Sequence, residues 1–202
     1  EQELRATGGF TQAVALMTFD NGLLIDTQVF STYQLDNQLA AIVTPPDDLQ
    51  QTLGEERFYL RDANWHPDFP TSAKQVSWFL EQTTNKKVDG VFAMNIEVIK
   101  RLLAETGPLD LPQYNELLTD RNLSERMEFH SEVTLVETDQ SSDYAVVVLD
   151  ALLKKVAALQ ADKVEGFLQA LRTSVERKEL LLYLAEPGEL STMTNLGWSG
   201  AL

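Results

Sequence analysis

Apolar and polar positions follow a strand-like pattern near the start of the chain. Between residues 13 and 30, two apolar-rich runs flank Asp20-Asn21-Gly22. Asn-Gly between such runs is a strong signal for a β-hairpin, because both central residues of its tight turn take positive φ. The pattern therefore predicts two antiparallel strands that meet at this turn.

Helical spacing dominates further along the chain, most completely at residues 95–108. Asn95 can cap the N-terminus of this helix, Gly107 can end it and Pro108 lies just beyond. Apolar patterns predict helices from Thr71 onward and at 142–160 and 162–177, and buried strands at 88–94 and 179–186. A short helix is predicted at 45–54, where Pro46 and the acids behind it suit a first turn and Gly54 suits a C-terminal cap, and the polar stretch 115–130 is predicted to be partly helical. In the helix at 162–177, the pattern places five apolar residues on one face: Val164, Phe167, Leu168, Leu171 and Val175.

The alternation of strands and helices is typical of a layered α/β fold. The chain has 202 residues and is 44% apolar, enough for one large domain with a real core. No internal repeat or linker-like stretch divides it. We therefore predict a single α/β domain over residues 1–202, with a mixed central sheet flanked by helices.

Charge and cysteine content exclude several classes of function. Lys and Arg total 16 against 31 Asp and Glu, which gives a formal net charge of −15. A field of that sign repels nucleic acids, although a few arginines in a cleft can still hold a phosphate. The absence of cysteine excludes disulfides, thiolate nucleophiles and Cys-based zinc sites.

The densest group of chemically versatile residues is "LRDANWHPDFPTSA" at 60–73. Pro67 and Pro70 fix their own φ angles and disfavour helix at the residues before them. The sequence therefore predicts a rigid, non-helical loop at 64–70, followed directly by a helix. The N-terminus of such a helix offers unpaired N–H groups that favour anions.

Several side chains of this stretch have a possible role in a site. Arg61 can hold a phosphate or carboxylate in fork geometry. Asp62 and Asp68 can bind a divalent cation through hard oxygen atoms. Trp65 can cover an apolar group or a sugar.

A purely structural interpretation of the same stretch stays open. Asp68 or Thr71 can cap the helix, Arg61 and Asp62 can pair with each other, and Trp65 can belong to the core. Elsewhere, Gly8-Gly9 allows a tight turn or a close approach to a ligand. The two histidines are far apart in the chain, and no Ser/His/Asp spacing, GxGxxG or Walker loop is present.

Several stretches together resemble an uncharacterised family of bacterial envelope proteins, which carry a domain of unknown function and an N-terminal membrane anchor. The stretches are "ELRATGGF", "TFDNGLL", "LRDANWHPDFPTSA", "VDGVFAMN" and "LLAETGPL". The resemblance implies an extracytoplasmic domain that is anchored to the cell membrane. The abrupt ends "EQELRATGGF" and "NLGWSGAL" also predict that the chain is part of a longer protein.

The order of elements is more distantly similar to the LytR-CpsA-Psr enzymes. Those enzymes transfer glycan polymers from a polyprenyl-pyrophosphate carrier to peptidoglycan, using arginines and acidic residues with Mg²⁺. The resemblance implies that Arg5 and the pair Arg61 and Asn64 stand near the corresponding cleft. Two arginine motifs of the enzymes should fall near 29–36 and 141–150, where this chain has no Arg.

These observations predict an extracytoplasmic envelope module that binds an anionic or polyprenyl-phosphate-like ligand with little catalysis. The alternatives are a divergent glycan phosphotransferase, for which Mg²⁺ is a possible cofactor, and a purely structural domain of an envelope assembly. In the predicted site, Arg5 and Arg61 face one cleft. The remaining ligand-binding residues are Asp62, Asn64, Trp65 and Asp68.

Overall fold

The structure is a computed structural model that describes Gly9, residues 11–136 and residues 141–202. Its strands are β1 (Ala13–Asp20), β2 (Leu23–Ser31), β3 (Gly90–Met94), β4 (Leu109–Leu111), β5 (Glu116–Leu118) and β6 (Leu180–Leu184). Its α-helices are α1 (Thr32–Gln38), α2 (Asp47–Leu53), α3 (Phe69–Thr84), α4 (Ile96–Thr106), α5 (Leu123–Val136), α6 (Ser141–Ala157), α7 (Val164–Glu176) and α8 (Pro187–Asn195). Single 3₁₀ turns occur at Leu60–Asp62, Pro112–Tyr114 and Ala161–Lys163. None of the described helices is both long and apolar enough to span a membrane.

The predicted mixed α/β class is confirmed, and the described strands form small sheets between the helices. They make three two-stranded sheets, which pair β1 with β2, β3 with β6 and β4 with β5. The short strand β5 lies where the sequence predicted partial helix, and β4 lies just before that stretch, where no element was predicted. Each has three residues, too few for a recognisable alternation of apolar and polar positions.

The predicted hairpin is confirmed. β1 and β2 are antiparallel, and the two residues between them both have positive φ, 48° at Asn21 and 80° at Gly22. The register shifts between Thr18 and Phe19, which marks a β-bulge in the ribbon. Asn-Gly thus determines the turn in the expected way.

The chain divides into two compact units. The first comprises Glu1–Thr11, Thr32–Ala93 and Leu180–Leu202, and the second comprises Gln12–Ser31 and Met94–Glu179. In the first unit, the cluster of Phe69, Ala73 and Tyr183 joins α3 to β6, and side chains of β3 and α8 pack against it. The single domain expected over residues 1–202 stays a prediction.

Helix α3 begins earlier than the two prolines suggested. Phe69, predicted to be extended, is the first helical residue, and Asp68 is the N-cap. Pro70 is tolerated in the first turn because the N–H it lacks would have no partner within the helix. The non-helical loop therefore ends at Asp68 rather than at Pro70.

In the second unit, α4 has the predicted ends. The Asn95 side chain accepts a hydrogen bond from the Glu97 N–H, and Gly107 has φ 89° directly after the helix. Helix α4 packs against α7, while α6 packs against α5 and against both strands of the hairpin.

The predicted apolar face of α7 is partly wrong. Val164 and Leu168 are exposed, whereas the small residues Ala170 and Ser174 are buried together with Val175. The α4 side chain of Glu105 also comes close to α7, because a Cβ on Gly166 would lie 2.6 Å from its Oε2 atom. Helix α4 therefore packs against the face of α7 that carries small residues. The spacing of apolar residues alone does not indicate such a face.

Candidate functional site

Arg61 lies in a 3₁₀ turn that hydrogen bonds fix on both sides. The Leu60 N–H donates to Asp36 Oδ1 at 2.7 Å, and the Arg61 carbonyl accepts from the Thr11 N–H at 2.9 Å. Asp36 projects from α1, and its side chain is only 3% exposed. The turn is therefore anchored to α1 at the point where Arg61 begins.

The guanidinium of Arg61 lies over two aromatic rings. Its Cζ atom lies 3.9 Å from the ring centroid of Tyr59 and 5.1 Å from that of Tyr33. Both distances are within the range of a cation–π contact. The rings leave the edges of the guanidinium for polar partners.

Three carboxylates meet those edges at different distances. Nη1 is 3.3 Å from Asp36 Oδ2, Nε is 3.7 Å from Asp62 Oδ2 and Nη2 is 3.9 Å from Glu55 Oε2. The Asp36 and Asp62 side chains are buried, whereas that of Glu55 is 30% exposed. Only the contact to Asp36 is short enough for a hydrogen bond, and the contact to Glu55 is the loosest of the three.

Burial governs the titration of Asp36. Loss of solvent raises the pKa of this carboxyl above its ordinary value, against the opposing effects of the Leu60 N–H and the Arg61 charge. Arg61 therefore compensates a carboxylate that is costly to bury. The inner side of the guanidinium has a structural role.

Asp68 has the structural role that the sequence left open. Its Oδ2 atom accepts from the Thr71 N–H at 3.0 Å and from the Thr71 hydroxyl at 2.6 Å, which caps α3. Its Oδ1 atom accepts from the Leu202 N–H at 3.1 Å. The hydrogen bond from the Thr71 hydroxyl is the largest cause that holds the pKa of Asp68 below its ordinary value.

Asn64 and Trp65 also contact their own unit. The Asn64 side-chain amide donates to the Gly9 carbonyl at 2.8 Å, and the Trp65 N–H donates to the Asp62 carbonyl at 2.9 Å. The Trp65 side chain is half-buried. Both residues stabilise the loop after the 3₁₀ turn.

The structure therefore brings some of the predicted site residues together, and one of them is outside the described part of the chain. Arg61 and Asp62 are in contact, whereas Asp68 and Asn64 are hydrogen-bonded to the first turn of α3 and to Gly9. Arg5 lies outside the described residues, so the cleft shared with Arg61 stays a prediction. Within the described part of the chain, no three or more acidic or histidine side chains are placed to hold a metal ion.

The sequence analysis missed four residues around Arg61: Tyr33, Asp36, Glu55 and Tyr59. A signal was available for two of them, since Tyr33 and Asp36 are three residues apart and share one face of a helix. They fall in 29–36, the segment noted above for its lack of arginine. A tyrosine and a carboxylate from this segment reach Arg61 instead.

A second polar cluster was also missed, and it lies in the second unit. Glu116 accepts hydrogen bonds from the Tyr144 hydroxyl, at 2.7 Å, and from Arg126 Nη2. It also contacts His130 Nε2 at 3.0 Å. The imidazole stacks on the Tyr144 ring at 3.8 Å. Because one carboxylate joins β5, α5 and α6, the arrangement is that of a structural link between these elements.

The comparisons with known proteins give one match. The sequence model of a family described as "Protein of unknown function (DUF4012)" matches residues 1–130, which include Arg61 and its predicted partners. No curated protein and no solved structure matches the chain.

Proposed function

The chain belongs to the DUF4012 family, whose description assigns no activity, and we propose a function from the geometry around Arg61. In this proposal the protein is an extracytoplasmic module of the cell envelope. It binds an anionic ligand of the polyprenyl-phosphate type at the outer edge of Arg61 and catalyses little or no transfer.

One observation carries the proposal: the two sides of the Arg61 guanidinium are held very differently. Asp36 fixes Nη1 from the buried side, whereas Nη2 points towards the half-exposed Glu55 across 3.9 Å. A phosphate oxygen that approached Nη2 would replace a weak, solvent-screened contact by a charge-assisted hydrogen bond. The inner contacts would keep the guanidinium in place meanwhile.

The aromatic rings favour a ligand that combines charge with apolar surface. Tyr33 is 37% exposed and Tyr59 lies directly under the guanidinium. Their rings offer apolar contact beside the cation. A lipid-linked phosphate has that combination of head and tail, whereas a free inorganic anion uses only the charge.

The surroundings of Arg61 support binding rather than turnover. Catalysis of phosphoryl transfer depends on positive charge placed where negative charge develops in the transition state. Here Asp36 and Asp62 lie within 4 Å of the guanidinium and offset its charge. Asp68, a residue of the enzyme alternative, has both carboxylate oxygens engaged by N–H and hydroxyl donors.

The test is direct binding of a short-chain polyprenyl phosphate in detergent, compared with the matching alcohol that lacks the phosphate. Glu55→Gln removes the competing charge at Nη2 and should tighten phosphate binding about threefold, the effect expected for one weak ion pair. Arg61→Lys keeps the charge but loses the planar stack, and should weaken binding about tenfold. Arg172→Ala is the control, since this arginine is 72% exposed and pairs with Glu176 on α7.

Four results would contradict the proposal in different ways. If Glu55→Gln left affinity unchanged, the ligand would not contact Nη2. Equal binding of the alcohol and the phosphate would show that the site does not recognise the negative charge of the ligand. Transfer of a labelled glycan with Mg²⁺ by the wild type, lost in Arg61→Lys, would establish the phosphotransferase alternative, and no binding at all would favour a purely structural domain.

A further inference from the structure

The outer end of the β1–β2 hairpin exposes apolar side chains far beyond the part that is covered. We define the hairpin end as residues 18–26. Phe19 is 56% exposed, Leu23 70% and Ile25 62%. Further along β1 Leu16 is buried, and α6 packs against both strands.

Both faces of the hairpin end are apolar. Phe19 is paired with Leu24 and shares its face, whereas Leu23 is adjacent to Leu24 in the strand and points to the opposite side. A flat partner that covered one face would leave the other in water. A partner that runs along the edge of the ribbon can contact side chains of both faces.

The edges of the ribbon have the β-bulge beside Phe19 as protection against such pairing, but two other usual protective residues are missing. Among the described strands, β1 and β2 pair only with each other, so each presents one further edge. Lys and Pro are residues that natural proteins place on exposed edges, and neither occurs between residues 12 and 31. Away from the bulge at Ile25, the edges of the ribbon are therefore open to another strand.

The negative charge of the hairpin end and of the whole chain limits the kinds of partner that can bind there. Asp20 and Asp26 are exposed at the hairpin end, and the whole chain carries a net charge of −15. A second copy and an anionic lipid surface would both be repelled. Insertion into a lipid bilayer would bury the Asp20 carboxylate and the polar Asn21-Gly22 turn, which costs several kcal/mol for each unsatisfied group.

We propose that the hairpin end binds a protein partner by strand addition, and that the added segment alternates apolar and basic side chains. Its backbone pairs with the open edge of the ribbon. Its apolar side chains cover Phe19 and Leu24 on one face, while its basic side chains reach Asp20 and Asp26 on the other. This interaction is independent of the anion site proposed at Arg61.

The probe is an eight-residue peptide of alternating Lys and Val with blocked ends, and binding is measured by calorimetry at low salt. A Glu/Val peptide and a Lys/Ser peptide separate the contributions of charge and apolar contact. The Lys/Val peptide should bind at least about tenfold more tightly than either one. The double variant Phe19→Ser/Leu24→Ser should lose about tenfold or more in affinity, and Asp20→Asn/Asp26→Asn should lose less.

Leu168→Ser is the matched control, because Leu168 is an exposed leucine on a helix of the same unit. The affinity of this variant for the Lys/Val peptide should equal that of the wild type. Equal Lys/Val binding by wild type and by the Phe19→Ser/Leu24→Ser variant would overturn the proposal. Binding of wild type to phosphatidylcholine vesicles, lost in that variant, would overturn it in favour of a membrane surface. A dimer that the variant abolishes would overturn it in favour of a second copy.

Discussion

The Arg61 segment and the hairpin end differ in how they use their side chains. At Arg61, two aromatic rings and three carboxylates surround one cation, and the segment that follows is hydrogen-bonded to Gly9, Thr71 and Leu202. At the hairpin end, apolar side chains face water on both sides of a two-stranded ribbon. The polar segment looked like the obvious site, yet most of its contacts stabilise its own unit.

This contrast separates residues that a domain needs in order to fold from residues that it leaves available. A buried charge or capping group whose partner is removed costs stability, whereas an exposed apolar side chain can be replaced at little cost. The available groups are then the Nη2 edge of Arg61 and the hairpin end. The following predictions test that separation, in order of decreasing effect.

The largest effect is expected at Asp36. Asp36→Ala should lower the free energy of unfolding by about 3 kcal/mol, because the Leu60 N–H and the inner side of Arg61 both lose their acceptor. This change is measured by urea unfolding that is monitored by circular dichroism. Asp36→Asn, which keeps an oxygen for the Leu60 N–H, should lose clearly less. A loss below about 1 kcal/mol for Asp36→Ala would mean that the Arg61 segment is not held from α1.

Removal of the α3 cap should have an intermediate effect. Asp68→Ala should cost about 1 kcal/mol at pH 7, the usual cost of losing an N-cap carboxylate. Asp68→Asn should recover most of this loss, since an amide oxygen can still accept from Thr71. If the asparagine variant were as unstable as the alanine variant, the carboxylate charge rather than the cap would be responsible.

The same cap predicts a dependence on pH. The pKa of Asp68 is lower in the folded protein than its ordinary value of 3.8, so its contribution is present above that value and lost as the pH falls through the folded pKa. The stability difference between wild type and Asp68→Ala should therefore shrink below about pH 4. Parallel urea titrations at pH 6 and pH 3 measure the change. A difference that stayed constant would show that the carboxylate has no special stabilisation in the fold.

The smallest effect is expected at the hairpin end. Leu23→Ser/Ile25→Ser should change the free energy of unfolding by less than about 0.5 kcal/mol, because both side chains are mostly in water already. The comparison is Leu16→Ser in the covered part of β1, which should cost several times more. A loss of about 2 kcal/mol at the hairpin end would show that its apolar side chains belong to the fold.

Local signals made a good part of the fold predictable. Asn21-Gly22 identified the hairpin, and Asn95 and Gly107 gave the ends of α4 almost to the residue. Each of these signals acts through neighbouring backbone, so the sequence alone contains it. The start of α3 was misplaced because Pro70 is compatible both with a loop and with a first helical turn.

Contacts across long sequence separations were not predictable in the same way. Arg61 was singled out, but its partner Asp36 is 25 residues away, and nothing local links them. On α7, Val164 and Leu168 looked like core residues, whereas packing against α4 selected a face with small residues. The cluster around Glu116 depends equally on residues 10 to 28 positions apart.

The attachment of Asp68 and Phe69 to the end of the chain has a consequence for folding kinetics. Asp68 accepts from the Leu202 N–H across 134 residues of sequence, and the Phe69 N–H donates to the Gly200 carbonyl. Closing a loop of that length costs about 4 kcal/mol of chain entropy before any contact compensates it. During synthesis, these two hydrogen bonds must wait for residues that emerge after the whole of Met94–Glu179. The second unit consists of Gln12–Ser31 and Met94–Glu179, which both emerge before Leu180. It can therefore form many of its contacts earlier.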